Sequence, residues 1–176
     1  MLGVTGAFAC FAAGTGAGLL LRSRCYDRLH ALEAWGDALQ TMGLLLREER
    51  LPLGDLLHQA AQGLAGHGTA AQVRERLIHA GKAIQAAPSL TLAQAYAAAR
   101  DAHPVAGEQR EEQDHLALLF RQLGSGSAAM RLQAVTAATR RFEPLAQKAK
   151  TKAEQTGRLY AQLGALGGLM LGIALW

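Results

Sequence analysis

Leu29–Leu53 reads LHALEAWGDALQTMGLLLREERLPL. Its large apolar residues, Leu29, Leu32, Trp35, Leu39, Met42 and Leu46, recur every three or four positions. That spacing aligns them on one face of an α-helix and does not fit the two-residue alternation of a half-buried strand. The charged corner Arg47-Glu48-Glu49-Arg50 follows, and Pro52 denies the chain an amide donor, so the helix is expected to stop near Arg50. A long helix packed by one face implies a helical partner.

Downstream, the same period returns in shorter runs. Leu53, Leu56, Leu57, Ala60, Ala61 and Leu64 make a second apolar face, ended by Gly66-His67-Gly68. Val73, Leu77, Ile78 and Ile84 make a third, closed near Pro88. Ser89 or Thr91 caps a fourth helix bearing Leu92, Ala95, Tyr96 and Ala99, which His103-Pro104 and Gly107 end. A fifth is expected from Glu108 to Leu123, with Leu116, Leu119 and Leu123 inward. Its first turns hold Glu108, Glu111, Glu112 and Asp114, acidic as the helix dipole favours. Gly124-Ser125-Gly126-Ser127 is a hinge or cap before a last helix from Ala128, which Pro144 either kinks or splits near Phe142. The expected fold is all-α: an antiparallel bundle of about six helices, flanked by N- and C-terminal transmembrane helices.

The flanking helices follow from where the charge lies. Half of the 176 residues are apolar and the formal net charge is +4. Mean hydropathy is only +0.06, an average that hides the pattern. All 18 basic and 14 acidic side chains fall between Arg22 and Arg158. Arg22, Arg24 and Arg28 outweigh Asp27 on one side, and Lys148, Lys150, Lys152 and Arg158 outweigh Glu154 on the other. The stretch between them, 29–147, is left with 11 basic and 12 acidic side chains. The basic surplus therefore flanks the two uncharged ends, a membrane pattern and not a nucleic-acid one.

Spanning a hydrocarbon core takes about 20 helical residues. Residues 1–21 meet that length, and 159–176 approach it, with Tyr160 and Trp176 at the interfaces. A cleaved signal would carry its charge before the apolar run, whereas here arginines follow it. The expected organisation is a span over 1–21, a cytoplasmic bundle over 22–158 and a span over 159–176, with both termini outside. The competing reading of the second span is a buried C-terminal helix. Gly6, Cys10, Gly14 and Gly18 share one helix face, as do Gly164, Gly168 and Gly172. Small stripes of this kind let membrane helices pack closely, within the chain or in a homo-oligomer.

Chemistry-bearing motifs are scarce. The histidines, His30, His58, His67, His79, His103 and His115, lack ligand spacing and are read as solvent-facing or capping residues. Cys10 and Cys25 make neither a disulfide framework nor a zinc site. Gly81-Lys82 lacks the upstream glycine of a phosphate loop, since Arg76 stands there. The sequence thus predicts no enzyme, no cofactor, no metal, no nucleic acid and no small-molecule substrate. Glu108, Glu111, Glu112 and Asp114 are instead candidate partner contacts, with the Arg47–Arg50 corner a second.

The C-terminal run Tyr160-Ala-Gln-Leu163-Gly164-Ala-Leu166-Gly167-Gly168-Leu169 resembles the closing motif of the stage III sporulation protein AB family. Gly3 in a short uncharged head, Leu51-Pro52-Leu53 with Leu56-Leu57 behind it, and Leu123-Gly124 agree in order. Where the family tends to carry Asp and, four residues on, Gln, this chain has Ser127 and Arg131. The resemblance implies an integral protein of the mother cell membrane in endospore-forming bacteria, part of the stage III A apparatus joining mother cell and forespore. It also implies a bundle similar to the platform protein of type II secretion and type IV pilus machines. Expected partners are then the membrane and other stage III A proteins, including a cytoplasmic secretion-type ATPase. Alternatives are a platform outside sporulation and a membrane-tethered enzyme.

Overall fold

A computed structural model describes the backbone of residues 2–48, 51–87 and 89–174, and the side chains of 23, 26–48, 51–87, 89–156, 159 and 170. All regular structure among them is helical. Two helices of 47 residues, α1 (Leu2–Glu48) and α6 (Ala128–Ala174), bracket four short ones. These are α2 (Leu53–Gln62), α3 (Thr69–Ala86), α4 (Leu92–Ala102) and α5 (Arg110–Ser125).

α1 and α6 lie antiparallel along a shared seam. Leu32–Gln40 line one cavity with Thr139–Lys150, and Leu39–Arg47 line the next with Val135–Arg140, so numbering falls on α6 as it rises on α1. Pro144 sits inside α6 without splitting it. Its exposure places the missing amide bond on the solvent side of the helix.

The short helices stack against α1 because each buries one stripe. Leu29, Leu32, Trp35, Leu39 and Met42 of α1 are buried, as the period predicts, together with Leu56, Leu57, Val73, Leu77, Leu92 and Tyr96. Leu46, Ile78 and Ile84 are only partly buried at the margin. Phe120, absent from the expected stripe of α5, is fully buried and stacks on Tyr96 at 3.9 Å between centroids. Trp35 meets both rings edge-on, at 6.3 and 6.5 Å. This aromatic trio joins α1, α4 and α5.

Local signals set most boundaries. Thr91 is the cap of α4, its hydroxyl accepting from the Gln94 amide at 3.3 Å. α5 starts at Arg110 and not at Glu108, because the Glu108 side chain turns inward and Gln109 takes the cap position.

Among the described residues no helix is long and apolar enough to cross a membrane. The stretches assigned to spans, 1–21 and 159–176, lie outside the described side chains except for Leu159 and Met170, both exposed. Gly14, Gly18, Gly164, Gly168, Gly172, Arg22, Arg24 and Arg158 also lie outside them.

Candidate functional site

Among the described residues, side-chain hydrogen bonds gather at the link between α4 and α5, residues 103–109, where it crosses α1 at Asp27 and Arg28. Gly107 there has φ +80°, and a Cβ on it would come within 2.6 Å of the Asp27 carbonyl carbon. Only glycine permits both the backbone angle and the approach. The Ala106 amide donates to Gln72 Oε1 at 2.8 Å, which ties the link to α3 as well.

Two ion pairs fasten this strap. Arg76 of α3, fully buried, donates from Nη1 to both oxygens of Glu108 at 3.0 and 2.9 Å, and from Nε to the His103 carbonyl at 2.9 Å. Trp35 Nε1 and Gln113 Nε2 add donors to the same carboxylate at 3.1 and 3.2 Å. The Arg76 guanidinium also lies 5.9 Å from the centre of the Trp35 ring, within cation–π range. Four donor bonds make the buried carboxylate tolerable, since an unpaired charge there would cost several kcal/mol. Arg76 Nη2 remains a buried donor without a partner.

The second pair lies nearer the start of the described chain. Arg28 donates to Glu112 Oε1 from Nε at 3.1 Å and Nη2 at 2.8 Å, while the Gln109 amide donates to Glu112 Oε2 at 2.8 Å. Glu112 therefore does two jobs, closing the first turn of α5 and holding α1. Burial pushes the neighbouring Tyr96 phenol far above its ordinary range, and the Glu108 charge adds to that shift.

These contacts correct the expected acidic contact surface. Glu108 and Glu112 have side chains only 1% and 3% exposed and face inward, so they present nothing to a partner. Only Glu111 and Asp114 remain on the surface. Glu108 precedes α5 and Glu112 lies in its first turn, and each side chain turns inward to meet an arginine. Arg28, one of the expected membrane-flanking basic residues, is paired with Glu112. Lys148, Lys150 and Lys152 are exposed, surrounding Ala149 and Ala153, which are buried.

Arg76 entered the sequence reading only as the residue that spoils a phosphate loop. One signal could have found it: it sits in register with Val73, Leu77 and Ala80, on the buried face of α3. A charge on an apolar stripe needs a buried counter-charge.

Of the histidines, His30, His58, His67 and His79 are exposed, and His103 caps the end of α4 with its ring 4.9 Å from that of His79. Among the described residues no group of three His, Cys, Asp or Glu side chains is arranged to hold a metal ion.

The family model described as Stage III sporulation protein AB (spore_III_AB) matches residues 3–176 of this chain. No curated protein and no solved structure matches it.

Proposed function

The chain belongs to the stage III sporulation protein AB family, and from that membership we propose a non-enzymatic platform in the channel between mother cell and forespore. In this reading residues 1–21 and 159–176 span the mother cell membrane, and residues 22–158 form a cytoplasmic bundle. The bundle couples a cytoplasmic secretion-type ATPase to the membrane-embedded part of the stage III A apparatus. The charge pattern supports the orientation, with Arg22, Arg24 and Arg28 following the first apolar run and Lys148, Lys150 and Lys152 preceding the second.

One observation carries the reading. The two helices that bear the apolar ends, α1 and α6, are also the pair that forms the spine of the bundle. A helix transmits displacement along its axis when its root is fixed, and here α1 is bonded to α5 through Arg28–Glu112 and to the strap through Trp35–Glu108. A shift imposed on the short helices would reach the membrane through α1 and α6 together. Such coupling needs differential contacts in two states, which an ATPase cycle supplies.

Two measurements test it. A cysteine near Gly66, at the exposed His67, with Cys10 and Cys25 removed, is expected to be shielded from an impermeant thiol reagent in intact cells. Labelling there would overturn the orientation. Crosslinking and pull-down of the tagged protein from sporulating cells is expected to recover the stage III A ATPase. Its absence where the channel assembles would sink the coupling role.

A further inference from the structure

The α1–α6 seam changes sign along its length. Near the root, a cavity of about 290 Å³ is lined by Glu33, Asp37 and Glu143 against a single Lys150. At the far end, a groove of about 280 Å³ is floored by Leu39, Gly43 and Val135, walled by Leu44, and bracketed by Arg47 and Arg140. No carboxylate lines this second groove. Leu44 is 55% exposed, a large apolar side chain left at the lip.

The arginines around it are short of acids. Among the described residues Arg47 and Arg140 make no ion pair, whereas Arg28, Arg76 and Arg100 each do. Arg141, on the adjoining face of α6, reaches His115 Nδ1 at 3.1 Å and no carboxylate. Arg131 Nε, one helical stretch further, is a buried donor without a partner. An apolar trough with weakly hydrated, forked cations at its ends is matched by carboxylates set on an apolar helix.

We propose that the Arg47–Arg140 groove docks an amphipathic helix of a partner protein, with an apolar stripe between two acidic residues. Spacing sets the pattern. Gly43 faces Val135, whose Cγ1 would lie 3.7 Å from a Cβ placed on the glycine, and Arg47 and Arg140 diverge from that point in opposite directions along the seam. At 1.5 Å per residue they stand roughly 13 Å apart along the axis, so the acids lie a little over two turns apart. Roughly 39 Å of helix separates Arg47 from Leu21, which sets the groove well away from lipid headgroups in the reading above. The groove itself does not depend on that reading, because every residue invoked lies in the bundle.

Fluorescence anisotropy on the full chain in detergent micelles tests the proposal. The probe is a labelled designed helix with a leucine stripe and two glutamates a little over two turns apart; its control carries lysines instead. The glutamate probe is expected to bind roughly tenfold tighter than the lysine control, as two solvent-exposed charge pairs allow. R47E/R140E is expected to reverse that preference while thermal melts stay unchanged, because both side chains are exposed. L44E is expected to weaken both probes. Equal binding of the two probes, or a preference that survives R47E/R140E, would overturn the proposal. So would a dimer in micelles that R47E/R140E dissociates, since the groove would then be occupied by a second copy.

Discussion

Arg76 and Glu108, 32 residues apart in sequence, meet as a doubly bonded pair with side-chain exposures of 0% and 1%. The pair fixes the strap between α4 and α5 against α3, and Trp35 carries the same carboxylate's bonding to α1. Three helices and a loop thus share one buried charge.

Removing one partner leaves the other buried and uncompensated. E108Q is expected to lower unfolding stability by about 3–5 kcal/mol. Replacing both, as R76M/E108L, is expected to recover most of that loss because no charge then remains to be buried. Urea unfolding of the full chain in micelles, followed by circular dichroism, compares them; equal losses in the two variants would show that packing outweighs charge.

Gly107→Ala should open the strap. The left-handed φ and the crowding against Asp27 and Arg28 act together, with an expected cost of about 1–3 kcal/mol. Hydrogen exchange should quicken at 103–109 ahead of the helix cores. Unchanged protection there would show the backbone accommodating the methyl group.

Stability should fall in alkali. The Tyr96 phenol titrates above its ordinary value of 10.0 because burial disfavours the phenolate. Its contribution is therefore fully present below pH 10 and is lost as pH rises, since only the unfolded chain ionises there. Y96F, which has no proton to lose, is expected to flatten the decline above pH 10 in thermal melts. An equally steep decline in Y96F would assign it to other groups.

Gly36→Ala should stabilise. A Cβ at this position of α1 meets nothing within 4 Å, and glycine inside a helix costs about 0.5–1 kcal/mol relative to alanine. A rise in melting temperature is the expected reading; a fall would place a neighbour in that space.

Replacing Gly164 and Gly168 by Leu tests the proposed spans. Bulk on that stripe is expected to reduce recovery of stage III A partners from membranes while the bundle's far-UV spectrum holds. Undiminished recovery would reduce the stripe to composition.

How much was legible without coordinates follows from the range of each interaction. Leu92, Ala95, Tyr96 and Ala99 lie one turn apart, so their shared burial was readable from spacing. The cap of α4 was narrowed to Ser89 or Thr91, and the structure selects Thr91. Pro144 left the continuity of the last helix open in the sequence, between a kink and a split near Phe142, and only the structure shows α6 running through it.

Arg76, Glu108, Arg28 and Glu112 were not readable in the same way. Their partners lie 32 and 84 residues away, and nothing in local spacing names which acid an arginine will meet. Sequence alone determined the apolar stripes that make the helices and the gathering of charge around the apolar ends, because those depend on neighbours within a turn or on composition. Tertiary structure alone decided which acids are buried and which stay on the surface, because a charge enters the interior only where packing brings a counter-charge to it.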